Sequence, residues 1–108
     1  MIPRLNRLPS TSILSGATAA SSYFILKATH NTLSYHRFAF VVSKKVDKRA
    51  VVRNRLKRIL REIAYVLLLP YPSGMDILFI VKKNFLQIDN VTLQEEVKKG
   101  IERVLQSL

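Results

Sequence analysis

The 108-residue chain contains no cysteine and only three glycines. The lack of cysteine excludes disulfides, thiolate metal ligands and thiol catalysis, and it is typical of a protein of a reducing compartment such as the cytoplasm. The glycines are too far apart to form a phosphate-cradling loop. No apolar run approaches the roughly 20 residues of a membrane-spanning helix. We therefore expect a cytoplasmic protein with no membrane partner.

Acidic residues are also scarce, with seven against eighteen lysines and arginines and a formal net charge of +11. Such a balance indicates a polyanionic partner, nucleic acid before an anionic membrane. The acids are scattered, and no pair of carboxylates suggests acid–base catalysis or a two-metal site. His30 and His36 lack convincing partner ligands, and no serine–histidine–aspartate set is apparent. We expect no catalytic residue, no metal site in the protein and no small-molecule substrate.

The N-terminal segment is basic and lacks acids. Residues 1–20 contain Arg4 and Arg7 among many serines and threonines. An organellar address signal has this composition too, but a loosely ordered basic arm is the favoured interpretation. The chain length fits one domain, so residues 1–108 are treated as a single unit with this arm at its start.

Three segments are rich in β-branched and aromatic residues and predict strands: 23–29, 37–43 and 75–81. The second alternates, with Phe38 and Phe40 on one face, and is expected to run antiparallel to the first. The third is almost continuously apolar, which predicts a strand buried on both faces.

Two helices are predicted, at about residues 50–69 and 92–108. Thr92 and Glu95 match a capping box at the start of the second helix. The resulting order β, β, α, β, α predicts an α/β fold of two layers, in which helices pack on a small mixed sheet of three or four strands.

The first helix has an apolar stripe and a basic face. At 100° per residue its predicted apolar stripe comprises Val52, Leu56, Ile59, Leu60, Ile63, Val66 and Leu67. The predicted opposite face comprises Asn54, Lys57, Arg58 and Arg61, with Arg53 and Arg55 bordering the stripe. Residues 44–62 hold nine of the eighteen basic residues, so the cationic face is the main candidate for function.

Four interpretations of this face were weighed. A merely solvated face usually interleaves acids, whereas residues 44–61 contain only Asp47. A membrane-surface helix would need its apolar face for lipid, but two flanking strands require that face for a core. A DNA-reading helix is possible, but no helix-turn-helix partner precedes it. RNA binding through phosphate contacts and shape is the favoured interpretation.

The string SKKVDKRAVVRNRLKRILRE (43–62) resembles the signature of the bacterial ribonuclease P protein subunit. The matching residues are Ser43, Lys44, Lys45, Ala50, Val51, Arg53, Asn54, Arg55, Lys57, Arg58, Arg61 and Glu62. The similarity extends to NRL (6–8), RFAFVVS (37–43) and GMDILFIVKK (74–83), and it covers roughly residues 4–106.

This resemblance implies an α/β sandwich in which the basic central helix crosses between two parallel strands with a left-handed connection. It implies an RNA-binding subunit of an endoribonuclease, whose large RNA subunit removes the 5′ leader from precursor tRNA. The partners would be that RNA subunit and the leader, and the cofactor would be Mg²⁺ bound mainly by the RNA subunit and substrate. The alternative is a ribosomal or ribosome-assembly protein that binds ribosomal RNA structurally.

The resemblance also implies site residues. Those expected to bind RNA are Lys44, Lys45, Lys48, Arg49, Arg53, Asn54, Arg55, Lys57, Arg58 and Arg61. Those expected in a leader cleft between sheet and helix are Ile13, Leu14, Lys27, Val41, Arg53 and Asn54. Arg55 has a second interpretation as a stripe-edge residue whose alkyl chain covers apolar surface. The family usually has aromatic cleft residues where this chain has STSILSGATAA, and often a tyrosine where it has Lys27, so a more electrostatic cleft is expected.

Overall fold

The computed structural model describes residues 16–71 and 74–108. In chain order its elements are β1 (Ala17–Ala20), β2 (Phe24–His30), β3 (Arg37–Val41), α1 (Ala50–Leu68), β4 (Met75–Val81) and α2 (Asn90–Ser107). The predicted strands and helices are confirmed with ends shifted by no more than two residues. β1 is an additional strand.

The four strands form one mixed sheet in the order β1-β2-β4-β3. β2 pairs antiparallel with β1 and with β4, whereas β3 pairs parallel with β4. The connection β3–α1–β4 is therefore the predicted crossover between parallel strands. β2 and β3 run in opposite directions as expected, but β4 lies between them. The left hand of the crossover stays a prediction from the resemblance.

β1 shows that the end of the expected loose arm, Ala17–Ala20, is a strand, whereas residues 1–15 of that arm lie outside the described residues. Ala17 pairs with Ala28 of β2 and Ala20 with Ile25, across a tight connection. In this connection the Ser21 hydroxyl oxygen accepts hydrogen bonds from the backbone N–H groups of Tyr23 (3.1 Å) and Phe24 (3.2 Å). The strand was not predicted because its sequence, ATAA, is mostly alanine and contains a single β-branched residue, Thr18.

The hydrophobic core lies between one face of the sheet and both helices. Strand residues and helix residues form one cluster, whose largest fully buried members include Phe24, Phe79, Leu26, Ile77, Leu56, Leu60, Val97 and Val104. The rings of Phe24 and Phe79 meet edge to face, with centroids 5.4 Å apart. Gly100 brings α2 close to the sheet, since a Cβ there would lie 3.1 Å from the Leu26 Cδ2 atom.

The buried stripe of α1 differs from the predicted one. It comprises Val52, Leu56, Leu60, Ala64 and Leu68. Ile59, Ile63 and Leu67 are half-buried against the core, and Val66 is 63% exposed, so its predicted burial was wrong. Four residues advance 400° around a helix, so an i, i+4 stripe rotates by 40° at each step. The last turns of α1 therefore bury a side that the fixed-angle projection had assigned as polar.

α2 begins earlier than predicted and has a different cap. Its N-cap is Asp89, whose Oδ1 atom accepts a hydrogen bond from the Thr92 backbone N–H at 2.6 Å. Thr92 was predicted as the cap, but it is the third residue after the true one. The same kind of N-terminal signal was present three residues earlier.

In the parts of the chain described above, neither helix is long and apolar enough to cross a membrane.

Candidate nucleic-acid interface

The linker between β3 and α1 presents exposed cations around one ion-paired acid. Lys44, Lys45, Lys48 and Arg49 are exposed. The Asp47 carboxylate accepts hydrogen bonds from the Arg49 backbone N–H (2.9 Å), from Arg49 Nε (3.0 Å) and Nη2 (2.9 Å), and from Asn84 Nδ2 (3.2 Å). The hydrogen bonds from Arg49 hold the pKa of Asp47 well below its usual range. Asp47 therefore stays ionised and organises the linker through these bonds, while it offsets one of the four linker cations.

Arg53 ties the linker to α1. Its Nη1 atom donates hydrogen bonds to the backbone carbonyl oxygens of Asp47 (3.1 Å) and Lys48 (2.8 Å). The side chain is half-buried. Sequence reasoning predicted Arg53 as an RNA-contacting residue only, so its bonds to the linker are a role that the sequence did not reveal.

The amino end of α1 has no acidic residue that would compensate its positive charge. Its N-cap residue, Arg49, makes no side-chain capping bond, and its first turn contains no acid. The positive end of the helix dipole is therefore reinforced by basic residues. Asn54, Arg55 and Arg58 are exposed on the following turns and Lys57 is half-buried. This half of the predicted cationic face thus faces solvent, as expected.

Arg61 departs from the predicted arrangement. Its guanidinium carbon lies 5.2 Å from the centroid of the Phe40 ring, and the side chain is half-buried. Phe40 in turn stacks on Phe79 at 5.3 Å. The rotation of the buried stripe brings Arg61 over the aromatic side chains of the sheet, so it cannot be grouped with the fully solvated residues.

The second face of the sheet carries the remaining predicted leader-cleft residues that the structure describes. Register places Ile25, Ile80 and Val41 in one row, and Lys27, Leu78 and Ala39 in the next. Lys27 is half-buried among mostly apolar neighbours, and Val41 is 40% exposed where β3 meets the linker. Both helices pack on the other face. Ile13 and Leu14 lie outside the described residues.

An ion pair lies on this face at the end of the sheet away from the linker, where β3 and β4 begin. Arg37 donates to Asp76 through Nε (2.9 Å) and Nη2 (2.7 Å), and Asn31 Nδ2 donates to the same carboxylate at 2.9 Å. Burial raises the pKa of Asp76, but the hydrogen bonds from Arg37 and Asn31 and the charge of Arg37 outweigh it and leave the pKa below its usual value.

His36 has a structural role. Its Nδ1 atom accepts a hydrogen bond from the Met75 backbone N–H (3.1 Å), and its Nε2 atom lies 3.1 Å and 3.2 Å from the carbonyl oxygens of Leu68 and Tyr71. The ring thus joins the end of α1 to the start of β4. Across residues 16–71 and 74–108, no three histidine or acidic side chains are grouped so that they could hold a metal ion.

The structure thus places the linker cations and the first half of α1 together, beside the carboxyl end of β3. Lys27 and Val41 lie on that face. Asn84 was missed by sequence reasoning, because its partner Asp47 is 37 residues away. No local pattern could have paired them.

Comparison with known proteins identifies the same architecture elsewhere. Residues 10–105 match the family described as Ribonuclease P. A ribonuclease P protein component of Thermoanaerobacter is 33% identical over 86 residues, which cover 80% of this chain and 73% of the relative. A solved RNase P protein of Thermotoga maritima superposes with a TM-score of 0.72 at 32% identity, covering 83% of this chain and 87% of that one. An RNase P protein of Staphylococcus aureus has a TM-score of 0.61 at 26% identity, over 84% and 79% of the two chains.

Proposed function

The chain belongs to the ribonuclease P protein family, and we propose that it binds the RNA subunit of that enzyme through the linker and the solvent face of α1. Membership makes it the RNA-binding protein component of a tRNA-processing endoribonuclease and favours this function over a ribosomal one. The carrying observation is the group of exposed cations at residues 44–58, whose one acid, Asp47, is ion-paired with Arg49 and accepts a hydrogen bond from Asn84.

Phosphate contact is the chemistry that this surface supports. Guanidinium groups can donate two parallel hydrogen bonds to a phosphate, whereas ammonium groups act as point charges. Arg55 and Arg58 point into solvent from successive turns of α1, and Lys44, Lys45 and Lys48 extend the charge along the linker. Such a surface recognises the backbone and shape of a folded RNA more than its sequence.

We further propose that the 5′ leader of precursor tRNA lies across the second sheet face. Lys27 would meet a phosphate there, while Val41 offers apolar contact beside the linker. Asn54 is exposed near the start of α1 and can both donate to and accept from a base edge or sugar. Arg53 would act chiefly by holding the linker. Ile13 and Leu14 stay predicted contributors.

The metal chemistry is assigned to RNA. Because the described carboxylates are scattered or already paired, we propose that the Mg²⁺ required for hydrolysis is held by the RNA subunit and substrate. The protein would help by neutralising phosphates that would otherwise need more cations. A cytoplasmic location stays a prediction, since it rests on the family and on the cysteine-free composition.

Binding to a bacterial ribonuclease P RNA transcript tests the main proposal. The double variant Arg55→Ala/Arg58→Ala should lower affinity by about 10-fold or more, because two charge-assisted phosphate bonds are lost. Its plot of log affinity against log salt should become shallower by about 1.4 to 1.8, since each phosphate contact contributes about 0.7 to 0.9. Lys98→Ala/Lys99→Ala on α2 removes the same charge and is the matched control. Equal losses in both variants would reject the proposal.

A further inference from the structure

The loop between β4 and α2 lies beside the basic linker. β3 and β4 are parallel neighbours, with Val41 paired to Ile80, so both strands end at the same edge of the sheet. The linker leaves β3 at that edge, and residues 82–89 leave β4 there. The topology therefore places two loops side by side that are about 40 residues apart in sequence.

A hydrogen bond joins the two loops. Asn84 Nδ2 donates to Asp47 Oδ2 at 3.2 Å, while Asn84 Oδ1 accepts from the Leu86 backbone N–H at 2.9 Å. Both ends of the Asn84 amide are thus engaged. Phe85 is buried in the core directly after it, and the Lys82 backbone N–H donates to the Tyr23 carbonyl at 2.7 Å. The loop is thus anchored to the core and to the β1–β2 connection, and it reaches the linker through the Asn84 side chain.

This loop adds positive charge to the linker surface. Lys82 and Lys83 are exposed, and each lies within two residues of Asn84. The acids closest to them in the two loops are both engaged. Asp47 is bound by Arg49 and Asn84, and Asp89 caps α2 through the Thr92 backbone N–H. Both carboxylates keep their charge, but residues 42–49 and 82–89 together hold six lysines and arginines against these two acids, so the net charge of the two loops is positive.

We infer that Lys82 and Lys83 form a second part of the RNA-binding surface, which contacts backbone phosphates of the RNA held by the linker and α1. The inference rests on the proposed function and extends it to residues outside the basic helix. Ammonium groups on an otherwise pinned loop act as point charges, so these contacts add affinity without reading bases. The Asp47–Asn84 bond fixes the distance between the two basic segments.

The test compares three double variants of the full chain for binding to a bacterial ribonuclease P RNA transcript over a range of salt concentrations. Lys82→Ala/Lys83→Ala should lower affinity by about 5- to 20-fold near 0.1 M salt, in keeping with two charge-assisted contacts. Its salt slope should be shallower by about 1.4 to 1.8. Lys98→Ala/Lys99→Ala removes an equal charge from α2, whose Lys99 lines a hollow with Ala19 and Ala20 of β1, the outer strand on the other side of the sheet from β3.

The outcomes separate this inference from the proposed function. A Lys82→Ala/Lys83→Ala variant with the affinity and slope of the α2 control would overturn the inference. If Arg55→Ala/Arg58→Ala still lost affinity in that experiment, the proposed function would stand. If Arg55→Ala/Arg58→Ala also matched the α2 control, both would fall. All six positions are exposed, so each variant should fold, and thermal unfolding verifies this.

Discussion

Asp47 and Asp76 are bound in the same way, each by one arginine and one asparagine, at the two ends of the β3–β4 strand pair. Their surroundings decide how much each group contributes. The Arg49 side chain is 72% exposed, so solvent and salt screen its attraction to Asp47. Arg37 and Asp76 are only 29% and 11% exposed, so their ion pair is screened far less. Asp47 thus orders the linker, whereas Asp76 stabilises the fold.

The Asp76 ion pair predicts a pH-dependent stability. Because the folded pKa of Asp76 lies below its unfolded value, the stabilisation is complete above the ordinary pKa of about 3.9 and is lost as pH falls through the lower folded pKa. Asp76→Asn should therefore be less stable than the parent near pH 7, and the gap should narrow in acid. Urea unfolding at several pH values measures it. Glu102→Gln, at an exposed position of α2, is the control. A stability difference between Asp76→Asn and the parent that stays constant down to pH 2 would contradict the prediction.

Arg61 predicts a separation between stability and charge. Arg61→Ala should lower the free energy of unfolding by about 0.5 to 1 kcal/mol, because it removes the contact with the Phe40 ring. Arg58→Ala removes the same charge from an exposed site and should change stability by less than about 0.5 kcal/mol. Denaturant unfolding of both variants decides. Equal stability of the two variants would show that the contact between Arg61 and Phe40 does not stabilise the fold.

At the scale of elements, residue type and spacing predicted what local forces determine. The apolar run predicted β4 with its observed bounds, residues 75–81. The amphipathic pattern predicted both ends of α1 to within one residue. Two features escaped. β1 depends on pairing with β2 and not on its own alanine-rich sequence, and the buried stripe of α1 depends on how the helix lies on the sheet. Both are set by tertiary contacts, which override local propensity.

The rotation of that stripe can be tested within α1. Leu60 is fully buried, and its replacement by alanine should cost about 2 to 5 kcal/mol of stability. Val66 was assigned to the same stripe from the sequence but is exposed, so Val66→Ala should change stability by less than about 0.5 kcal/mol. Thermal or urea unfolding gives both values. A large loss of stability in Val66→Ala would contradict the rotation and support the stripe predicted from the sequence.

At the scale of the molecule, the parallel pairing of β3 and β4 gathers the candidate site. It places the linker, the start of α1 and the loop after β4 at one sheet edge, with exposed cations on each. The cationic helix was predictable because its signal is local. The Asp47–Asn84 bond and the neighbouring lysines were not, because they depend on which strand lies beside which. Charge and motif indicate RNA, and the topology suggests how far the proposed surface extends.

Cleavage of a precursor tRNA by a bacterial ribonuclease P RNA at low Mg²⁺ tests the central claim most directly. With this chain added, the RNA should release the 5′ leader at Mg²⁺ concentrations where it is nearly inactive alone, because the protein neutralises phosphates and holds the substrate. The chain without the RNA should release nothing, and Arg55→Ala/Arg58→Ala should stimulate less than the parent. Failure of the chain to stimulate cleavage, or cleavage at the same bond by the chain alone, would contradict the account.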